Sequence, residues 1–261
     1  MFKLLGAYFS RLSKWLIFRI LLFLMLIGGI GGALLMRKIP GAWNMPYMMA
    51  YLMFPHYVGV ITGLFNYPLF TNGTIRNQLS VGHRRSHIYL ADWAASNIFS
   101  VALYLVFTVG FFITLSLCSK DMTAGQNPVL IEGLPSAMEV NPDAAASGKA
   151  VVCGVMLSVV QIIFFTTVTQ LFCVMLKGVK SFLAIYLGNQ MLVVGCVGIA
   201  AISGKYNLPD MLLNLLPSVV CMRQSSFAVD PDFWPGLLAM IAETVIVYML
   251  GNLYFRKTDI N

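Results

Sequence analysis

The chain has 261 residues, of which 59% are apolar and 10% charged, and its 17 Lys and Arg against 10 Asp and Glu give a net charge of +7. Soluble domains carry about 45–50% apolar and about 25% charged residues, so this composition excludes a soluble domain, and its hydrophobicity excludes a disordered chain. The basic residues cluster between apolar runs, which favours membrane orientation over nucleic-acid binding as their role.

The apolar runs predict several membrane spans, since a helix needs about 20 residues to cross a bilayer. Residues 1–14 mix basic and apolar side chains, a pattern typical of an amphipathic helix lying on the membrane surface. The apolar stretch Met211–Met222 is too short to cross, so we expect it to be re-entrant or interfacial. The sequence therefore predicts an all-α integral membrane protein, one transmembrane domain over residues 1–261, with six spans at about 15–36, 45–70, 88–118, 150–176, 181–204 and 233–255.

Six spans place both termini on the same side of the membrane. That side holds 11 of the Lys and Arg residues and the other side holds 6. Because cytoplasmic segments carry the excess of basic residues, both termini are predicted to be cytoplasmic. Residues 119–149 and 205–232 are then extracellular, and residues 72–87 are cytoplasmic. Cys118 and Cys221 would lie near the same outer face, and a disulfide between them is an open alternative.

The polar region 72–87 predicts a short helix presented to the cytoplasm. Ile75, Leu79 and Val81 are spaced to seat this helix on the bilayer. Gly82 is expected to follow its C-terminus, where glycine readily adopts the left-handed conformation. An ordinary anchored loop is the alternative. We expect Arg76, Asn77 and Gln78 to face water, and the start of the third span to be anchored by Arg84, Arg85 and His87.

Few side chains could carry chemistry inside the membrane. Glu243 lies near the middle of the sixth span, where an ionised carboxylate is costly unless it is paired, hydrated or protonated. With His56 and Asp92 it forms a candidate intramembrane polar site; the alternative is a carboxyl group that packs the bundle through a hydrogen bond. Asp92 is expected to pair with Arg84, Arg85 or a neighbouring helix end.

The sequence predicts no enzymatic or metal site. It has no HExxH motif, and Asp143 and Ile199 stand where the P-loop pattern GxxxxGK requires its first glycine. His83 and His87 are one helical turn apart, but the two arginines between them would repel a metal cation. Small residues let membrane helices approach closely, which predicts packing interfaces, within the chain or between subunits, at Gly28, Gly32, Gly188 and Gly195.

The region after the second predicted span resembles the corresponding loop of ABC-2 type transporter permeases. That loop often reads G-T-I-R-N-K-L, then a glycine, a basic residue and I-Y-L. Gln78 replaces the common lysine, and Arg84 stands where a small hydroxyl residue is frequent. The matching residues are Gly73, Thr74, Ile75, Arg76, Asn77, Leu79, Gly82, Arg85, Ile88, Tyr89 and Leu90. The amphipathic N-terminus, the six spans and the broken segment before the last span are also similar to that family.

The resemblance implies a transmembrane subunit of a bacterial ABC exporter in the plasma membrane. Its coupling helix would dock on a separate ATPase subunit, which holds the ATP and Mg²⁺, while this chain binds no cofactor. A second permease, identical or homologous, would complete the transporter. The residues expected to contact the ATPase are Gly73, Thr74, Ile75, Arg76, Asn77, Leu79, Gly82, Arg85 and Tyr89, with a second contact at Lys177 and Lys180.

The cargo is less defined than the class of transporter. The apolar composition and the 16 methionines suit a hydrophobic or amphipathic cargo, such as a peptide or an antibiotic-like compound, moved outward. The alternative function is a proton- or ion-coupled secondary transporter or channel that uses Glu243, His56 and Asp92.

Overall fold

A computed structural model of the chain describes residues 16–36, 74–118, 148–176 and 233–257, with a few further positions between 4 and 14 and between 191 and 199. All the elements it describes are α-helices, and four of them are long and apolar enough to cross a membrane. The protein is therefore an all-helical membrane protein. The helices are α1 (Leu16–Met36), α2 (Thr74–Ser80), α3 (Arg85–Cys118), α4 (Gly148–Leu176) and α5 (Phe233–Lys257).

The four long helices lie at the first, third, fourth and sixth predicted spans. The largest difference at a predicted start is that α3 begins at Arg85 instead of Ile88. The predicted spans 45–70 and 181–204 lie outside the described residues, except for isolated helical positions between 191 and 199. The predicted extracellular segment 205–232, which contains Met211–Met222 and Cys221, also lies outside them, as does the segment 119–149 except for Gly148 and Lys149, which begin α4. Among the described cysteines, Cys118 is free.

Helix directions follow from contacts at the two ends of the bundle. Phe18 packs on Phe99 with ring centroids 4.4 Å apart, and Gly32 further along α1 faces Phe111 further along α3, so these two helices run parallel. In contrast, α5 runs opposite to α3, because its last turn contacts the first turn of α3 through Arg256. Contacts of Asp92 and Trp93 with the C-terminal part of α4 give that helix the same direction as α5.

The helices α1 and α3 meet through glycines that allow close backbone approach. A Cβ at Gly29 would collide with the carbonyl oxygen of Phe107 and lie 3.1 Å from the backbone nitrogen of Phe111. In return, a Cβ at Gly110 of α3 would lie 3.1 Å from Leu26 Cδ1. Membrane helices pack in this way because small residues bring many atoms of both backbones into van der Waals contact.

The helix α4 is the most enclosed of the described helices. The six consecutive residues Phe165–Gln170 are all buried, and six residues turn through more than a full circle of helix. By contrast, α1 and α5 expose large apolar side chains such as Phe23 and Trp234. In a bilayer these exposed faces contact lipid, whereas in water so much apolar surface would drive association.

Candidate functional site

The short helix α2 ends in a Schellman motif. Gly82 has φ +92°, a left-handed conformation that glycine adopts without steric cost. Its N–H donates to Leu79 O at 3.0 Å, and the His83 N–H donates to Gln78 O at 3.2 Å. These bonds confirm the prediction that Gly82 follows the helix C-terminus. Only Val81–Arg84 separate α2 from α3, so the two helices form one rigid corner.

The N-terminal part of α2 is fixed by packing. Ile75 is only 3% exposed and belongs to a buried cluster with Leu4 and Tyr8, against which Leu79 packs. The Tyr8 hydroxyl donates to Gln78 Oε1 at 3.4 Å. The prediction that Gln78 faces water is therefore wrong in part, because its side chain is half-buried and accepts this bond. The turn at Gly82 leaves Val81 77% exposed, and its predicted contact with the bilayer stays a prediction.

The remaining residues of the motif fall in two groups. Thr74, Arg76 and Asn77 lie on α2, and Gly73 lies outside the described residues. Tyr89 is buried between α3 and α5, with ring centroids 5.5 Å from Tyr248 and 5.7 Å from Phe255. Its hydroxyl lies against Gly251, where a larger residue would collide. Ile75 and Tyr89, at which the resemblance implies an ATPase contact, are both buried inside the chain.

A basic cleft opens beside α2, where the first turn of α3 meets the last turn of α5. Its volume is about 620 Å³. One wall is fixed by a hydrogen bond from Arg85 Nη1 to the carbonyl oxygen of Arg256, at 3.0 Å. None of the described residues that line the cleft is acidic. They are Leu79, His83, Arg84, Arg85, Ser86, His87 and Arg256.

A stripe of polar residues runs along the buried side of α3. These residues recur every fourth position, so they lie one above the next on successive turns and wind about 160° around the helix over about 24 Å. Sequence analysis identified only Asp92 among them, although polar side chains at every fourth position of an apolar span can be recognised in a sequence. The stripe consists of Asp92, Ser96, Ser100, Tyr104 and Thr108, all buried.

Two hydrogen bonds join the start of this stripe to α4. Gln170 Nε2 donates to Asp92 Oδ2 at 2.8 Å, and Trp93 Nε1 donates to Thr167 Oγ1 at 2.9 Å. Bonds of this kind hold membrane helices in a fixed register, because lipid offers polar groups no alternative partner. Asp92 therefore accepts a hydrogen bond from the Gln170 amide of α4. Sequence analysis did not name this partner.

The other predicted site residues are dispersed. Glu243 is half-buried in the middle of α5, and no described residue makes a hydrogen bond to it. Gly28 and Gly32 face the rings of Phe107 and Phe111, whereas Gly195 has open space around it. His56, Lys177, Lys180 and Gly188 lie outside the described residues.

Comparisons with known proteins do not assign the chain to a family. No protein-family model and no curated protein matches the sequence. Within the described residues, no group of three His, Cys, Asp or Glu side chains is placed to hold a metal ion. The features available for function are thus the rigid α2 corner, the basic cleft and the polar stripe.

Proposed function

We propose that the chain is the membrane-spanning permease subunit of an ABC exporter and that a separate ATPase subunit docks on α2. The observation that carries this proposal is the rigid attachment of α2. A Schellman turn joins its C-terminus to α3, and near its N-terminus the buried side chain of Ile75 packs in a cluster with Leu4 and Tyr8. A helix held in this way transmits a displacement, whereas a loose loop absorbs it.

The contacts beyond α2 support a route for such a displacement. The Arg85 guanidinium holds the last turn of α5, and Tyr89 packs against the same helix. A push on α2 would therefore reach α3 and α5 together. ATP and Mg²⁺ would be bound by the ATPase, and the chemistry of hydrolysis would take place there.

The directions of the long helices support six spans with both termini on one side. Because α1 and α3 run parallel, the chain needs an odd number of crossings between them, which the predicted span 45–70 supplies. The shared direction of α4 and α5 likewise calls for a crossing between them, at the predicted span 181–204. The excess of basic residues on the α2 side favours the cytoplasm for that side, in a bacterial plasma membrane.

The proposed cargo is a hydrophobic or amphipathic compound, peptide or antibiotic-like, moved outward. The large apolar side chains exposed along α1 and α5 are compatible with lipid, with a second permease or with such a cargo. A complete transporter would contain two permeases, identical or homologous, and two ATPase subunits.

Co-purification tests the proposal. We expect the chain, extracted from native membranes in mild detergent, to bring down an ATPase subunit in equal amount. Arg76→Glu should sharply reduce that amount, because it reverses a charge on α2. Lys257→Glu is the matched control, with the same charge change at an exposed position outside α2 and the cleft. The proposal is wrong if no nucleotide-binding protein accompanies the unaltered chain in several detergents.

A proton- or ion-coupled transporter is the second candidate, and the polar stripe of α3 favours it. Among the described residues, the buried oxygens Ser96 Oγ, Thr108 Oγ1 and Gln170 Oε1 have no hydrogen-bond partner. Buried polar atoms need partners, so water or an ion along the stripe would satisfy them. Proton-driven transport without nucleotide, abolished by Glu243→Gln or Asp92→Asn, would establish this function; His56 would be the next position to change.

A further inference from the structure

We propose that the basic cleft between α2, α3 and α5 binds the phosphate headgroup of an anionic phospholipid from the surrounding leaflet. The proposal does not depend on the docking of an ATPase. It follows from three properties of the cleft: its charge, the helix end that faces it and the apolar surface that adjoins it.

The positive charge of the cleft suits an anionic ligand. Arg84, Arg85 and Arg256 line it, and the guanidinium group of arginine carries a positive charge that suits phosphate. Arg84 is exposed, so its guanidinium remains accessible to a ligand. No acidic residue is among the described residues that line the cleft.

The backbone of α3 adds to the positive potential. This helix has 34 residues, and its first turn, which contains Arg85 and Ser86, forms part of the cleft wall. The N-terminal turn of a helix carries the positive end of its dipole, although in α3 the N–H groups of His87 and Ile88 already donate to Arg84 O. The opposing carbonyl at the end of α5 is neutralised locally, because Arg256 O accepts the bond from Arg85. The combination of N–H groups and arginines matches a phosphate.

An apolar surface next to the cleft favours a lipid over a free phosphate. Leu253 and Met249 lie three and seven residues before Arg256, so all three share one face of α5. They are 49% and 53% exposed, as expected for side chains that contact acyl chains. Tyr254, half-exposed beside them, is a residue type enriched at the level of the headgroups. A headgroup in the cleft would therefore leave its acyl chains along α5.

Binding of defined lipids by the purified full-length chain, without any ATPase, tests the proposal. The Kd is measured in an uncharged detergent for phosphatidylglycerol and for phosphatidylcholine with the same acyl chains. We expect tighter binding of phosphatidylglycerol. The double variant Arg84→Gln, Arg256→Gln should weaken its binding by about 25-fold, about fivefold per arginine, from about 1 kcal/mol for each basic residue near an anionic surface.

Lys257→Gln is the matched control, because Lys257 follows Arg256 but does not line the cleft. We expect it to leave the Kd for phosphatidylglycerol unchanged. If the double variant does not fold, the single variant Arg84→Gln alters only an exposed side chain and should still weaken binding by about fivefold.

Several outcomes would overturn the lipid assignment. Equal affinity for the two lipids would remove the role of charge, and an equal loss in Lys257→Gln would remove the role of the cleft. Displacement of the lipid by millimolar inorganic phosphate would make the cleft a site for soluble phosphate. If the double variant kept its lipid affinity but lost a co-purifying ATPase, the cleft would be a protein docking surface. If the double variant lost lipid affinity but still bound an ATPase, the lipid site would be supported independently of the proposed function.

Discussion

Gly82 and Gly29 are required for different physical reasons. Gly82 needs its left-handed backbone, and a Cβ there would meet nothing within 4 Å. Gly29 has ordinary helical geometry but no space, because the carbonyl oxygen of Phe107 occupies the position of a Cβ. The same substitution to alanine therefore tests conformation at one position and packing at the other.

Gly82→Ala should loosen α2. The left-handed conformation costs a residue with a Cβ about 1–2 kcal/mol, so the free energy of local opening of α2 should fall by that amount. Hydrogen exchange of the α2 amides should become about 5- to 30-fold faster. Val81→Ala, at the exposed neighbouring position, should leave this exchange unchanged. Equal exchange in the two variants would contradict a structural role for the Gly82 conformation.

Gly29→Ala should destabilise the α1–α3 contact by about 1–3 kcal/mol, because the added methyl group forces the two backbones apart. Gly31→Ala provides the control, since a Cβ at Gly31 meets no atom within 4 Å and alanine favours the helix. Thermal unfolding in detergent should show a lower midpoint for the first variant only. Identical midpoints would argue against the close approach at Gly29.

At the scale of the elements, the contact between α3 and α4 is specified by polar side chains in an apolar setting. Asp92 and Trp93 hydrogen-bond Gln170 and Thr167 of α4. An apolar contact between membrane helices permits sliding, because lipid is as apolar as leucine. The hydrogen bonds at Asp92 and Trp93, which are adjacent residues, prevent this sliding.

A double-mutant cycle on Asp92→Ala and Gln170→Ala should give a coupling free energy of about 0.6–1.7 kcal/mol, the range found for hydrogen bonds between membrane helices. The measurement is the unfolding free energy in detergent micelles. A cycle of Asp92→Ala with Gln161→Ala is the control: Gln161 is also buried on α4 but lies about 13 Å further along the helix, so the two effects should add. Additivity in both cycles would rule out an energetic role for the Asp92–Gln170 bond.

The sequence predicted these elements better than their contacts. The four long helices could be predicted because a bilayer demands about 20 apolar residues per span, and Gly82 because helix ends follow local backbone rules. The closest approach at Gly29 could not, since the Gly28–Gly32 spacing defines a helix face but not the depth of the crossing. The burial of Tyr89 depends on α5, far away in the chain, which no local pattern identifies.

At the scale of the whole molecule, the described part of the chain brings several polar side chains together at the α2 end of the bundle. Gln78, Arg85 and Arg256 meet there with Tyr8 from the N-terminal part of the chain. The opposite end of α3, at Cys118, follows a long run without charged residues.

The sequon Asn72-Gly73-Thr74 gives a direct test of orientation. Because it lies immediately before α2, it should remain unmodified when the chain is inserted into eukaryotic membranes, as expected for a cytoplasmic segment. A sequon engineered into residues 119–149 is the positive control and should be glycosylated. Modification of Asn72 would reverse the orientation and remove α2 from the reach of a cytoplasmic ATPase.

The close approach at Gly29 has a mechanical consequence. Where the two backbones touch, α3 cannot move closer to α1, so a tilt of α3 would turn about Phe107 as its fulcrum. Phe107 lies about 33 Å from Arg85 and about 16 Å from Cys118 along the axis, at 1.5 Å per residue. A rigid α3 then acts as a lever with unequal arms. A swing of the α2 corner would move the far end in the opposite direction, through about half the distance and with about twice the force.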